Sequence, residues 1–222
     1  MNERDINVID MDFFRKVFLK YTKKAFQLIP IIKNPKILDI GCGTGIPTIE
    51  LARLSGGEII AMDINTKDLQ ILDQKIKKKK LSNQIRIVNA SLLKNKFDKN
   101  SFDLIWAEGV FHIIGFEKSF DASQRILKKM GYLVLNESIK KISPYLHDID
   151  KFGYIKYKTL QSSQGVWWDE FYKPLEKEIN RLLDDDPKLI NNAQIRRYRR
   201  EISMVKSNPK EFDTAFYILQ KV

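Results

Sequence analysis

The chain has 222 residues, 43% hydrophobic and 11% aromatic, enough for one domain of ordinary size, with or without a small appendage, and a sizeable core. Its single cysteine, Cys42, excludes an intramolecular disulfide and a cysteine-rich metal site. No apolar run approaches the ~20 residues of a membrane span, and the opening Met-Asn-Glu-Arg-Asp-Ile-Asn does not resemble a secretory signal, so a cytoplasmic protein with neither metal nor membrane partner is expected. The net charge of +11 splits into +7 over residues 1–139 and +4 over residues 140–222, a spread that suits a solvated basic surface better than a nucleic-acid footprint.

Residues 10–28 carry Phe14, Val17, Phe18, Tyr21, Ala25 and Leu28 at helical spacing. After Pro30 and Pro35 a strand is predicted over 36–40, then a helix from Thr44 or Gly45 to a stop at Gly56-Gly57. A second strand follows over 58–63, then a helix over 67–79 capped by Asn65 or Thr66, and strands over 85–89 and 102–106. A helix over 116–129 leads to a fifth strand over 132–136. The alternation argues right-handed crossovers and a parallel sheet with helices on both faces. Beyond Ser138 the pattern weakens: a short helix over 144–152, a strand over 154–160, helices over 167–183 and 188–205, and a last strand over 213–220. The expected organisation is a single domain over 1–222, with a cofactor-binding core over 10–138 and substrate-side helices and last strands over 139–222.

Residues 37–52 run from an apolar strand through Gly41, Gly43 and Gly45 into an amphipathic helix. Alternating glycines let a backbone turn with positive φ and lie against a ligand, while the helix aims its first amides at the same place. Asp63 ends the next strand, 22 positions after Gly41, the spacing of an acid that binds ribose hydroxyls. The sixth position of a dinucleotide fingerprint wants Gly or Ala, and Ile46 stands there. Asp39, two residues before the first glycine, would repel a pyrophosphate but not a cation.

The stretch 37–45 resembles the first motif of the class I S-adenosylmethionine-dependent methyltransferases. Met62-Asp63-Ile64 resembles their ribose-binding segment, Ser91-Leu92 the segment flanking the adenine, and residues 102–106 and 127–133 their fourth strand and the lead into the fifth. The common pattern has Asp where Ser91 stands. This resemblance, over residues 10–138, implies S-adenosyl-L-methionine as cofactor. It also implies a doubly wound, mostly parallel seven-stranded sheet with an antiparallel last strand. By the same resemblance Asp39 orients the methionine portion of the cofactor, Gly41, Cys42 and Gly43 pass under it, Asp63 and Ile64 flank the ribose, and Ser91 and Leu92 the adenine; Glu108, near the end of the fourth strand, is a candidate cofactor or substrate contact, against local hydrogen bonding as the alternative. Glu108-Gly109, residues 115–117 and residues 167–175 resemble a group of small-molecule methyltransferases.

The reaction expected is in-line displacement of a sulfonium methyl, in which the protein aligns the partners and excludes water. A base is required only where the nucleophile must lose a proton. His112 and Glu108, after the fourth strand, are the candidate catalytic residues. No Asn-Pro-Pro-Tyr or Asp-Pro-Pro-Tyr follows that strand, which disfavours base amines and glutamine amides as acceptors. Trp167, Trp168 and Tyr172, with Tyr21, are candidate substrate-lining residues, against core packing as the alternative. Arg196, Arg197, Arg199 and Arg200 share one side of a helix and give the reason to keep an RNA or protein methyltransferase as the alternative to a small-molecule enzyme. A non-catalytic cofactor-binding protein of the same fold is the third reading. The sequence leaves the oligomeric state open.

Overall fold

The computed structural model describes residues 7–222; the first six residues of the segment read above for signal character lie outside it. The chain forms two compact units, one of Met1–Phe18 with Ser162–Asp213 and one of Leu19–Gln161 with Thr214–Val222. The boundary drawn from sequence near residue 138 is therefore not the one the packing makes. Residues 139–161 and 214–222 complete the sheet by strand pairing, while 162–213 build a separate core.

Helix α1 (Met11–Arg15) and a 3-10 turn at Lys16–Phe18 belong to the smaller unit, and α2 (Leu19–Gln27) opens the larger. The sequence reads this stretch as one helix. It divides because Phe14 and Phe18 pack with the smaller unit's core, whereas Tyr21, Thr22 and Ala25 are buried in the sheet unit.

The sheet unit continues through β1 (Lys36–Ile40), α3 (Ile46–Ser55), β2 (Glu58–Asp63), α4 (Thr66–Lys78), β3 (Ile85–Asn89), β4 (Phe102–Glu108), α5 (Phe111–Ile114), α6 (Phe116–Ile126), β5 (Leu127–Ser138), α7 (Ile139–His147) and β6 (Tyr154–Gln161). The smaller unit then takes a π-helical turn at Trp167–Tyr172, α8 (Lys173–Asp185) and α9 (Ala193–Ser207), and β7 (Thr214–Lys221) returns to the sheet. The seven strands lie in the order β3-β2-β1-β4-β5-β7-β6. Neighbours from β3 to β5 pair in parallel, and β7 runs antiparallel between β5 and β6. The doubly wound, mostly parallel architecture expected from sequence is thus the one observed.

Chain order reverses between β1 and β4, where an open α/β sheet leaves a crevice beyond its strand ends. Side chains alternate between faces along each strand. Leu38, Ile40, Ile60, Met62, Ile105, Ala107, Leu133 and Leu135 fill the core on one face with Phe111, Phe116, Phe120 and Ile126. The register Asp39↔Trp106 and Asp39↔Ala61 puts Asp39, Asp63, Trp106 and Glu108 on the other face.

Among the boundaries that differ from the sequence reading, three bear on the sheet unit. Helix α6 stops at Ile126 rather than 129, because Leu127 is fully buried and pairs with Phe102; residues 128–131 then bulge, with Met130 at φ 63°, before Tyr132 resumes pairing at Leu104. Strand β4 runs two residues further, to Glu108. Pro144 lies inside α7 instead of opening a helix.

Candidate active site

Strand β1 delivers Asp39 and β2 delivers Asp63 to adjoining strand ends, and the glycine loop runs between β1 and α3. Gly41 and Cys42 both donate to Met62 O, at 2.8 and 3.2 Å, and Lys75 Nζ donates to Thr44 O at 2.8 Å, so the loop is fastened from β2 and α4. Gly41 has φ +68°, and a Cβ there would sit 2.7 Å from Val110; at Gly45, φ +82°, it would sit 2.1 Å from Leu72. Side chains are excluded at both by backbone and neighbours. At Gly43, φ +50°, a Cβ would meet nothing within 4 Å. Open space over a strained backbone is what a ligand lying on the loop requires.

Asp63 accepts from Gly43 N through Oδ2 and from Asn65 N through Oδ1, both at 2.8 Å. It therefore shapes the loop and the N-terminus of α4, and a carboxylate retains further lone-pair directions for hydroxyl donors. Asp39 is 2% exposed and accepts from Thr48 Oγ1 at 2.6 Å. Burial pushes its carboxyl from 3.8 up to about 8, against the Thr48 hydrogen bond and with the repulsion of Glu108 and Asp63. Glu108 Oε1 accepts from Trp106 Nε1 at 2.7 Å and from Thr22 Oγ1 at 3.0 Å. Burial raises Glu108 from 4.5 to about 7 despite those bonds. Beside Glu108 in register is Asn136, whose buried Oδ1 has no hydrogen-bond partner. Neither Asp39 nor Glu108 forms an ion pair with a cation among the described residues. One face at the switch point thus collects acceptor oxygens, with no cation paired to them among the described residues.

The other predicted residues separate. Ile64 is 72% exposed beside Asp63. Ser91 caps the 3-10 turn at Leu92–Lys94 by accepting from Leu93 N, so its hydroxyl has a local task. Leu92 packs into the core, which leaves only its backbone for a ligand. The Cys42 thiol is buried and its pKa is pushed up by burial and by Asp39 and Asp63, which keeps it an inert thiol. His112 lies in α5, with Nδ1 2.9 Å from Glu137 Oε2. Tyr21 is buried in α2. Trp167, Trp168 and Tyr172 belong to the smaller unit. Trp167 packs 4.3 Å from Phe18, Lys206 Nζ lies 5.2 Å from the Trp168 ring centroid, and Tyr172 is buried and donates to Glu201 at 3.3 Å. In that unit's core these aromatics take the packing role.

The arginines are set apart from the charge excess. The smaller unit has 13 Lys/Arg against 14 Asp/Glu, whereas the sheet unit has 26 against 14, and Arg197 is paired with Glu201. Sequence reasoning missed Thr22, Thr48, Trp106, Asn136 and Glu137. Thr22 and Glu137 reach their partners across 86 and 25 positions, and no local pattern announces such pairs.

A model for a methyltransferase domain matches residues 38–135, from the core of β1 to β5. The ubiquinone biosynthesis O-methyltransferase of Pelagibacter ubique is 30% identical over 174 residues, 78% of this chain and 69% of that protein. The chain belongs to the class I S-adenosylmethionine-dependent methyltransferases. The sterol 24-C-methyltransferase of Kluyveromyces lactis is 32% identical over 108 residues, but the match spans 48% of this methyltransferase and 29% of the relative. Among solved structures the cyclase SpnF superposes with a TM-score of 0.78 at 16% identity, covering 91% of this chain and 80% of that one. The geranyl diphosphate C-methyltransferase of Streptomyces coelicolor A3(2) superposes at 0.64 and 13% identity, covering 100% and 88%. Both show the shared fold alone, which also carries a cyclase.

The cofactor of the family, S-adenosyl-L-methionine, is a cation, and the switch-point face fits one: two carboxyls whose pKa values burial raises to about 8 and about 7 and which a nearby cation would favour in their charged form, and an orphaned carbonyl oxygen. When bound, it supplies an activated methyl on sulfur. No helix among the described residues is long and apolar enough to cross a membrane.

Proposed function

We propose that this methyltransferase transfers the methyl group to a small-molecule acceptor. The carrying observation is the strand-end face of Asp39, Glu108 and Asn136, with acceptors that no cation among the described residues pairs, beside the open glycine loop. A positively charged donor placed there favours the ionised form of these carboxyls and loses that attraction as the methyl leaves. The relatives act, by their names, on quinone precursors and sterols, which supports a small acceptor over a polymer. In this reading Asp39 and Glu108 hold the cationic methionine portion, Gly41 and Gly43 lie beneath it, and Asp63 with Ile64 takes the ribose. The backbone at Ser91 and Leu92 flanks the adenine, and a cytoplasmic location suits an enzyme that draws on the pooled cofactor.

The test is thermal. S-adenosylmethionine and its demethylated product raise the melting temperature, by an amount set by the ratio of ligand to Kd, and Asp63→Ala abolishes the rise. No shift at millimolar ligand refutes the reading. Transfer of labelled methyl to bulk RNA or protein, with none to small hydroxylated compounds, would reverse the choice of acceptor.

A further inference from the structure

We propose that Glu137 is a positioning residue that makes His112 the proton acceptor of this site, and that the methyl acceptor therefore carries a hydrogen on its nucleophilic oxygen. The inference rests on the reading above as a small-molecule methyltransferase and adds the chemical class of the acceptor to it.

Glu137 ends the buried run of β5 and is 1% exposed. It points to the face opposite Glu108, because it follows Leu135, which pairs with Ala107. Its Oε1 accepts from the backbone of Phe111 at 2.8 Å and of His112 at 3.4 Å, and its Oε2 faces His112 Nδ1 at 2.9 Å. One carboxylate thus fixes both the first turn of α5 and the ring that the turn carries. A carboxylate accepts and does not donate, so the hydrogen of the neutral ring belongs on Nδ1. Nε2 is left bare. The His112 side chain is 31% exposed while its partner is sealed, so one edge of the ring is open and the other is anchored. The same short segment supplies Val110, which lies over Gly41 in the cofactor loop.

This arrangement has a chemical use only for an acceptor that must lose a proton. The oxygen–carbon bond forms as the sulfur–carbon bond breaks; the hydroxyl proton passes to Nε2, and the sulfonium's positive charge reappears as an imidazolium against Glu137. Charge and atoms balance with no further reactant. An alkene acceptor would have no such proton to give at the moment of attack.

The chain has two histidines, so His147→Gln leaves His112 alone in a nitrogen-15 spectrum of histidine-labelled full-length protein. The neutral wild-type ring should show a protonated Nδ1 and a bare Nε2, and Glu137→Gln, which can donate as well as accept, should lose that preference. A protonated Nε2 in the wild type overturns the proposal. Methyl transfer to catechol and to 4-nitrocatechol, which is already ionised near neutral pH, gives the second readout. His112→Ala should lose about 100-fold or more on catechol and far less on 4-nitrocatechol, with Glu137→Gln following in kcat rather than KM. Equal losses on both, or turnover confined to acceptors without a hydroxyl, overturn the proposal; where no acceptor is turned over, the tautomer decides. A missing thermal response to S-adenosylmethionine refutes the underlying reading separately, since the tautomer is measured without it.

Discussion

Asp39→Asn separates the electrostatics of the switch-point face from its shape. Asn matches Asp in size, stays neutral and can still accept from Thr48. In the wild type, burial carries the Asp39 carboxyl from 3.8 to about 8. Between those values the folded chain keeps a proton that the unfolded chain has released, so the folded state binds more protons and stability falls as pH rises. Each pH unit inside the window removes about 1.4 kcal/mol. Comparing about pH 5.5 with about pH 7.5 therefore removes roughly 3 kcal/mol from the wild type and none through this residue from the variant. Glu108, raised to about 7, titrates in an overlapping window and remains in both proteins. Sharing of the repulsion reduces the expected difference to about 2 kcal/mol, or roughly 4–8 °C in melting temperature for a chain of this length. Thermal melts without cofactor, at both pH values and for both proteins, measure it directly. Asp39→Asn should gain on the wild type as pH rises. Parallel pH dependences would refute the claim that Asp39 is held protonated by burial.

The glycine loop distinguishes folding from binding. Gly41→Ala drives a Cβ to 2.7 Å from Val110 and should destabilise the fold by about 1–3 kcal/mol, whereas Gly43→Ala, with free space around it, should cost about 1 kcal/mol in stability yet abolish the thermal response to cofactor. Equal melting temperatures for the two variants would contradict this. Lys221→Met removes a buried ammonium that donates to Asn100 Oδ1, Gln124 O and Leu127 O at 3.0, 2.7 and 2.7 Å; chemical denaturation should register a loss of about 2–3 kcal/mol. Trp106→Phe deletes a hydrogen bond that favours the charged form of Glu108, so its carboxyl should titrate higher still, read by carbon-13 NMR of labelled glutamate.

The parallel core was legible because each strand is a short apolar run closed by a turn signal. β1, β2 and β3 end where the sequence places them, at Ile40, Asp63 and Asn89. The glycine loop was legible for the same reason: its glycines, Asp39 and Asp63 are local features with fixed spacing. What escaped depends on distant packing. Nothing in residues 10–28 announces that Phe18 and Leu19 belong to different units, and nothing in residues 127–131 announces a bulge. Glu137 reads in sequence as the polar end of a strand. Its importance comes from the segment after β4, which folds back so that two amides and an imidazole meet one carboxylate. The aromatic cluster at 167–172 read as a core more readily than as a wall, and helical spacing of large rings serves both.

Strand β7 lies between β5 and β6, yet β6 is made well before it, with the whole of 162–213 in between. β6 hydrogen-bonds to no other strand, so Tyr154 must wait for Lys221 and Gln161 for Ala215. On the ribosome, β5 would carry an open edge and β6 would have no place in the sheet until residues 214–221 emerge. Closing so long a loop is slow, and in the meantime β5 is a template for foreign strands. A chain cut just before Thr214 would therefore lose two strands rather than one and aggregate, although every residue of the glycine loop, Asp63, Glu108 and His112 would still be present.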